Sequence, residues 1–408
     1  MKKQTYITRT TERTLTYTAG EVASLRIKDG VKTTVRVYDK GYIGVAGRSG
    51  YVDMAELEKS AVEALENKVP YPEPEEVKDK RVVDTTKEII VKSELMKTGE
   101  ELIGKLSEEN PEFIFSGKTV LQDNTEIFTS GEQDYECRRS EQSTYFIFKH
   151  RQSASIMDEV YGVSGDKFEA DKIQKDVKTL GDAYLNLLPQ LEEDEMTVIT
   201  DMSICSFLIK DFMAKSYCND SSLLSGKLGK KAFSEKFTVY AEKDPYKKNG
   251  AVFFDGEGVV SKDDRVYFVK DGVLTNLLTT RQSAQKYGVE NSGTASAPFA
   301  AIPAEGAGAM TVECTADSVR DVVGKEKAVF VSMSSGGDMT SSGDVALPVQ
   351  TSYVYENGKL KGRLPGFTIT GNIFDILGKD FMGASDKGIW STGENIYLVF
   401  KAKLVNKQ

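Results

Sequence analysis

Histidine is almost absent from this sequence: His150 is the only one among 408 residues. The common zinc sites of hydrolases use two or three histidines, so a single imidazole excludes a site of that kind built by this chain alone. His150 is in strand phase with Phe146 and Phe148, which places all three side chains on one side of a predicted strand. We therefore expect His150 to be packed in the core or at its rim, without a chemical role.

Cysteine is also scarce, and its positions are scattered. The residues are Cys137, Cys205, Cys218 and Cys314, and none belongs to a C-x-x-C pair. This spacing excludes a zinc ribbon, a zinc finger and a dithiol redox motif. We expect reduced and mostly buried thiols, because free cysteine behaves as a small hydrophobic residue. The sequence thus predicts no metal site and no cofactor in this chain.

Long apolar runs are missing as well. No segment approaches the roughly 18 to 20 consecutive apolar residues that a helix needs to cross a bilayer. The N-terminal segment MKKQTYITRTTERTLTYTAG has threonines and charges where a signal peptide has its apolar region. A net charge of -9 opposes attraction to nucleic-acid phosphates. We expect a cytoplasmic protein that binds neither membrane nor nucleic acid.

The composition that remains is ordinary for a globular protein, with 39% hydrophobic and 28% charged residues. The length suffices for two or three hydrophobic cores. We predict two domains, residues 1–193 and 194–408, with the boundary in the acidic connection LEEDEM. The expected fold class is α+β: an N-terminal α/β domain of short antiparallel strands and helices, followed by a β-rich, barrel-like C-terminal domain.

Alternation of apolar and polar residues predicts hairpins over residues 10–50, with tight turns at Asp29-Gly30 and Asp39-Lys40-Gly41. A further hairpin turn is predicted at Ser130-Gly131. Apolar residues spaced by three and four predict helices near residues 53–67, 93–107 and 170–191.

Beyond residue 194, the spacing of Ile204, Leu208 and Phe212 predicts one helix. The segment SGGDMTSSGD (335–344) is typical of a flexible loop, and Asn357-Gly358 is a strong hairpin signal.

Two short segments are candidates for a functional site. Asp255-Gly256-Glu257-Gly258 places two acids between glycines, a pattern compatible with a hydrogen-bonded loop, with substrate or partner contact, or with acid–base catalysis. Gly371-Asn372 lies between a β-rich run and an apolar helical segment. Its simplest interpretation is the end of a strand followed by a helix cap.

Four blocks in the second half, taken in order, resemble segments of the TldD/PmbA family, whose members are also known as modulators of DNA gyrase. The blocks are SSLLSGKLGKKAF (221–233), FFDGEGVV (253–260), DGVLTNLLTTRQSAQKYG (271–288), and PVQTSYVYENGKL with GFTITGNIFDIL (348–377). The segment TVRVYDKGYIGVA (34–46) is similar to the opening hairpins of the family.

The resemblance implies one of two kinds of chain. TldD-like members carry an HExxxH motif and a later cysteine, which together form a zinc site, whereas PmbA-like or TldE-like members lack the motif and act as partners. The matching positions fall near Cys205, Ser206 and Lys210, and no residue from 195 to 225 is a histidine. The segment expected to supply the late cysteine, SDKGIWSTGENIYLVF (385–400), contains none. The resemblance therefore implies a chain without the family's zinc ligands.

The implied function is that of a PmbA/TldE-like, non-catalytic subunit of a cytoplasmic metalloprotease that processes flexible peptides. The expected partners are a TldD-like HExxxH subunit, which would supply the zinc, a second copy of this chain, and an unfolded peptide bound at a strand edge of the C-terminal domain. No residue is expected to be catalytic. The expected substrate or partner contacts are Asp255, Gly256, Glu257, Gly258, Gly371 and Asn372.

Two alternatives belong to other classes of protein. The chain could be a hydrolase that works without zinc through Asp255 and Glu257, or through Cys205. It could also be an interaction protein that modulates DNA gyrase. Chelator-resistant hydrolysis by the purified chain distinguishes the first alternative, and binding to a target without a protease partner distinguishes the second.

Overall fold

A computed structural model describes residues 1–391 and 395–406. The first half of the chain forms one sheet flanked by three helices among the described residues. Its elements are β1 (Lys2–Thr18), β2 (Glu21–Asp39), β3 (Tyr42–Ser49), α1 (Met54–Glu63), β4 (Val69–Pro70), β5 (Lys80–Thr85), α2 (Leu95–Glu109), β6 (Phe113–Ser130), β7 (Gln133–His150), β8 (Glu159–Gly165) and α3 (Ala170–Leu185).

The strands of this sheet follow the order β4-β3-β2-β1-β6-β7-β5, and β8 also pairs with β7. The predicted turns at Asp39-Lys40-Gly41 and Ser130-Gly131 are confirmed, because each lies between two paired strands. The predicted turn at Asp29-Gly30 is wrong. Both residues lie inside β2, opposite Thr11 and Thr10 of β1, so strand pairing overrides the local turn preference. The N-terminal strands are therefore longer than expected.

Helix α1 begins after Asp53, whose side chain caps it. The Asp53 carboxylate accepts hydrogen bonds from the backbone N–H groups of Ala55 and Glu56 at 2.9 and 3.3 Å, which satisfies donors that the first helical turn leaves free. Helix α3 ends at Leu185 and does not extend to residue 191. None of the described helices combines the length and apolar character needed to cross a bilayer.

The second half contains more strands and shorter helices. Its elements are β9 (Glu195–Thr200), α4 (Ser203–Ser206), α5 (Ile209–Phe212), α6 (Ala214–Cys218), β10 (Val239–Glu242), β11 (Arg265–Lys270), β12 (Val273–Leu274), α7 (Arg281–Tyr287), β13 (Ala295–Ser296), β14 (Ala304–Glu305), β15 (Met310–Val312), α8 (Val319–Val323), β16 (Ala328–Ser334), β17 (Asp338–Met339), β18 (Asp344–Glu356), β19 (Lys359–Arg363), β20 (Phe367–Asn372), α9 (Ile373–Ile376), β21 (Phe381–Ser385) and β22 (Tyr397–Asn406).

Five of these strands close into a barrel. The order is β16-β9-β22-β20-β18, and β18 pairs back onto β16. The α+β class with a barrel-like C-terminal region is thereby confirmed. Closure removes the free edges of these five strands. The expected binding of an unfolded peptide at a strand edge of the C-terminal domain stays a prediction, because β12, β11, β10 and β15 form a separate sheet there that is not closed.

The segment after β9 differs from the single helix predicted there. Ile204, Leu208 and Phe212 are buried as expected, but Ile204 lies on α4, Phe212 lies on α5, and Leu208 lies in the turn between these two short helices. The backbone is extended at Met213. Ala214 N donates a hydrogen bond to Leu278 O at 3.0 Å, and Leu278 N donates one to Phe212 O at 2.8 Å. These tertiary hydrogen bonds end α5 at Phe212. The break within the predicted helix lies at Phe207 and Leu208, where Leu208 N bonds to Cys205 O, three residues back instead of four.

The segment predicted as a flexible loop is more ordered than expected, and the hairpin turn predicted after it is present. Residues 338 and 339 pair with β18 as β17, so the segment 335–344 forms a small hairpin where a flexible loop was expected. Asn357 and Gly358 have φ values of 53° and 78° between β18 and β19, which confirms the predicted hairpin turn.

The two halves of the chain share one of the main cores. Leu15, Phe113 and Phe146 of the first sheet belong to the same buried cluster as Phe330 and Tyr353 of the barrel. The sheet changes at β9, close to the proposed boundary at 193/194, but the common core crosses it. The domain division stays a prediction.

Candidate functional site

The segment Asp255–Gly258 forms a tight loop, and Asp255 holds it together. Asp255 Oδ1 accepts hydrogen bonds from the backbone N–H groups of Glu257 and Val259 at 2.8 and 2.9 Å. Asp255 Oδ2 accepts another from Ala295 N at 3.0 Å. The side chain is 4% exposed. Both carboxylate oxygens are therefore engaged by the fold, as in the loop interpretation of this motif.

Glu257 points away from this network and is 2% exposed. Its Oε1 accepts a 2.7 Å hydrogen bond from the Tyr71 hydroxyl, and its Oε2 accepts one of 2.7 Å from Arg281 N. The Arg281 guanidinium lies 3.6 Å from Oε1. Burial raises the pKa of Glu257 above its ordinary value, although the charge of Arg281 opposes the shift. The first turn of α7 thus holds this carboxylate against the N-terminal half.

The glycines allow the loop to lie directly on the N-terminal sheet. Gly258 has a φ of 77°, and an added Cβ would lie 2.1 Å from the ring of Phe128 on β6. The Gly258 carbonyl accepts a 2.6 Å hydrogen bond from Gln133 Nε2. The Gly256 carbonyl accepts one from the Arg36 guanidinium on β2. The loop Asp255–Gly258 therefore packs against the N-terminal half of the same chain.

Arg36 is unusual in this interface because it is 1% exposed. Its Nε and Nη2 atoms are buried and have no hydrogen-bond partner among the described residues. A buried guanidinium with free donors is costly unless opposite charge lies nearby. The charge of Arg36 opposes the rise that burial causes in the pKa values of Tyr38 and Tyr6.

Gly371 and Asn372 occupy a different place. Asn372 Oδ1 accepts a 3.1 Å hydrogen bond from Phe374 N and caps α9, while its Nδ2 donates to Asp344 Oδ1 at 3.1 Å. Both residues line a surface depression of about 590 Å³ beside Asp375. Asp255 and Gly256 line a separate cavity of about 260 Å³. The two cavities share no lining residue, so the structure divides the six predicted contacts into two groups.

The cavity beside the loop contains charged side chains that the sequence analysis did not single out. Tyr6, Arg139 and Lys243 line it together with Asp255 and Gly256. Arg139 carried a weak sequence signal, because it is in strand phase with the buried residues Tyr135 and Cys137, and it is itself partly buried on β7. For Lys243 we find no such signal.

The positions that match the family's zinc motif do not fit a metal. Cys205 is 2% exposed, and burial raises the pKa of its thiol to about 12, whereas zinc binds the thiolate. Ser206 and Lys210 add no usual zinc ligand. Among the described residues, no three His, Cys, Asp or Glu side chains converge as a metal cluster. His150 is distant in sequence from these positions, and its ring packs against Phe113 and Tyr184.

Comparison with known proteins identifies sequences that are similar to this chain. A sequence profile described as the PmbA/TldA metallopeptidase C-terminal domain matches residues 193–394. An uncharacterized protein of Methanocaldococcus jannaschii is 28% identical over 206 residues, which are 49% of this chain and 47% of that protein. A Haemophilus influenzae metalloprotease TldD homolog is 24% identical over 182 residues, or 43% of this chain and 37% of that protein. The alignments thus span less than half the length of these two relatives.

The whole fold has a solved counterpart. The crystal structure of TldE from Thermococcus kodakarensis superposes with a TM-score of 0.79 at 16% identity, covering 100% of this chain and 97% of that one. At this identity the superposition speaks for the fold alone. The matched C-terminal profile, the similarity to the TldD homolog and the ordered sequence blocks mean that the chain belongs to the TldD/PmbA family of metallopeptidase-like proteins.

Proposed function

We propose that this chain is a TldE-like, non-catalytic subunit that assembles with a TldD-like zinc peptidase and helps it to process flexible peptides. One observation carries the proposal: the segment that would bear HExxxH has no histidine and is divided between the two short helices α4 and α5. Cys205, the one thiol at the matching positions, is buried and protonated at neutral pH because its pKa is raised to about 12. The zinc would therefore belong to the partner.

The open edge of β2 supports a role in binding an extended chain. β3 pairs with β2 only from Lys32 onward, so the outer edge of residues 21–30 has no strand partner among the described residues. Leu25 and Ile27, on the same face of the strand, are 37% and 60% exposed. Such an edge offers backbone hydrogen bonds to an unfolded peptide or to a strand of a partner subunit.

The hydrolase alternative finds less support in the geometry. A general acid or base needs a carboxylate oxygen within reach of the substrate. Asp255 already accepts three backbone hydrogen bonds, and Glu257 is 2% exposed and accepts two hydrogen bonds beside Arg281. Cys205 is buried as well. A role in gyrase modulation rests on the family's other name and on no particular group of residues.

The test is peptide cleavage by three samples: this chain, a TldD-like HExxxH subunit, and their mixture, each with and without a chelator. We expect cleavage only where the HExxxH subunit is present, an increase on mixing, and loss with chelator. Elemental analysis of this chain alone should give well under one zinc per chain. Light scattering should show the mixed complex or a homodimer.

Two results would contradict the proposal. One is a tightly held zinc at one per chain in the purified protein. The other is chelator-resistant cleavage by this chain alone that the double replacement Asp255→Asn with Glu257→Gln abolishes. The second result would move an active site to residues 255–258.

A further inference from the structure

The cavity of about 260 Å³ beside Asp255 lies where the N-terminal sheet meets the second half of the chain. Tyr6 and Arg139 come from the N-terminal sheet, and Lys243 follows β10. Much of the remaining wall consists of small residues, and Gly250, Ala297, Ala307, Gly308 and Ala309 are among them. The space is therefore bounded by charge on one side and by short side chains and backbone on the other.

The acidic groups of the cavity are already engaged. Glu126 accepts hydrogen bonds from the Tyr6 hydroxyl and, at 2.8 Å, from Arg139 Nη2. Glu242 accepts a 2.5 Å hydrogen bond from Arg265 Nη2 and two more from the backbone N–H groups that follow it. Asp255 accepts three from backbone N–H groups. These carboxylates have little capacity left to bind a cation.

The basic groups of the cavity, in contrast, have donors without hydrogen-bond acceptors. Lys243 is 7% exposed, and its ammonium makes no hydrogen bond or ion pair within the described parts of the chain. Arg139 uses Nη2 on Glu126, but its Nε and Nη1 atoms are buried and unpaired within the same residues. Burying donors without acceptors destabilises a fold. The unused hydrogen-bonding capacity of this cavity is therefore cationic and donating.

From this imbalance we propose that the cavity binds a carboxylate group, held by Lys243 beside the positive charge of Arg139. A singly charged group fits better than a phosphate dianion, because Glu126, Glu242 and Asp255 also line the cavity and would repel additional negative charge. The source of the carboxylate is the C-terminus of a peptide or a small free acid. The inference is independent of the proposed subunit function, since it rests only on this cavity.

The electrostatics of Lys243 agree with this assignment. Burial lowers the pKa of Lys243, although Asp255 and Asp264 act in the opposite sense. A bound carboxylate would restore the preference for the charged ammonium. Burial of the Lys243 cation thus has a cost that a ligand of opposite charge would offset.

The experiment is calorimetric titration of the full chain with four probes: acetate, tetra-alanine with a free C-terminus, the same peptide as its C-terminal amide, and inorganic phosphate. We expect the free acid to bind at least about tenfold more tightly than the amide, a difference typical of losing a charge-assisted hydrogen bond. Binding of both acetate and the free-acid peptide identifies a peptide C-terminus as an accepted source. Binding of acetate alone identifies a small acid.

Variants test the residues. Lys243→Met should weaken carboxylate binding at least about tenfold and raise the thermal unfolding temperature of the ligand-free chain, because it removes an unpaired buried charge. Ala307→Phe should block the cavity without a change of charge. Arg138→Gln is the matched control, since Arg138 neighbours Arg139 on β7 but pairs on the surface with Glu136; its binding should equal that of the parent chain.

Three results would overturn the assignment. They are equal affinity for the acid and the amide, tighter binding of phosphate than of acetate, and no saturable carboxylate binding by the folded parent chain. Undiminished binding in a folded Lys243→Met variant would also overturn it.

Discussion

The hydroxyl of Tyr71 donates a 2.7 Å hydrogen bond to Oε1 of Glu257, although the two residues are 186 positions apart. Tyr71 is 1% exposed and follows directly on β4 at the end of the first sheet. Glu257 lies in the loop that the sequence singled out for chemistry. The contact shows this acid as part of the interface between the two halves of the chain.

Replacing Glu257 by Gln should destabilise the protein by about 3 kcal/mol, because it removes the buried charge opposite Arg281 and disturbs two hydrogen bonds. The measurement is urea unfolding followed by circular dichroism. Glu290→Gln is the control, since Glu290 is exposed, and it should change the free energy of unfolding by less than about 0.5 kcal/mol. Equal stability of the two variants would show that the buried pair contributes nothing.

Gly258→Ala should be much more damaging than Gly226→Ala. Both glycines have positive φ, 77° and 72°, but an added Cβ at Gly258 would meet the Phe128 ring at 2.1 Å, whereas Gly226 has no atom within 4 Å. Backbone strain costs each variant about 1 kcal/mol, and the clash adds about 1–3 kcal/mol at Gly258. Unfolding free energies of the two variants give the comparison, and a difference below about 0.5 kcal/mol would contradict the close approach of this loop to β6.

Stability should fall as the pH rises from about 5 to 7, and Glu159 should account for part of this fall. Glu159 is 0% exposed and accepts hydrogen bonds from Val160 N and Ser332 Oγ at 2.8 and 2.9 Å and from the Tyr353 hydroxyl. Burial raises its pKa from 4.5 to about 7. The folded state therefore binds more protons than the unfolded state in this window, so stability is lost as the pH rises through it.

Glu159→Gln isolates this effect, since glutamine does not titrate. A pKa shift of this size corresponds to a change of about 3 kcal/mol in the free energy of unfolding. The variant should therefore gain up to about 3 kcal/mol relative to the parent chain when urea unfolding at pH 8 is compared with unfolding at pH 5. A constant difference between the two proteins at both values would mean that the carboxyl group is ionised in the fold throughout.

The four cysteines should differ in their reaction with iodoacetamide. Cys314 is exposed, whereas Cys137 and Cys205 are buried and their thiol pKa values are raised to about 11 and about 12. Because the thiolate is the nucleophile, Cys314 should be labelled first and the two buried thiols only on unfolding. Peptide mapping by mass spectrometry measures the order, with a Cys314→Ser chain as control. Rapid labelling of Cys205 in the native protein would contradict its burial and reopen a chemical role.

The α+β class, the turns at Asp39-Lys40-Gly41, Ser130-Gly131 and Asn357-Gly358, and the membership of the TldD/PmbA family could all be predicted from the sequence. Turns of this kind depend on local backbone preferences, since residues such as Gly and Asn tolerate positive φ. The family was visible because its blocks keep their order along the chain. The lack of histidine likewise needs no structure, because a missing ligand is missing in any fold.

The tertiary structure decided what local patterns do not encode. Strand pairing carried β2 through Asp29-Gly30, and the helix expected over Ile204 to Phe212 divided at Phe207 and Leu208. The outer edge of β2 over residues 21–30 stayed without a strand partner among the described residues, because β3 pairs with β2 only from Lys32 onward. The acids of the Asp255–Gly258 loop became buried contacts, and Lys243 and Arg139 came to line one cavity, because residues distant in sequence meet only when the two halves pack. The sequence determines which side chains are charged, but whether a charge is paired depends on its neighbours in space.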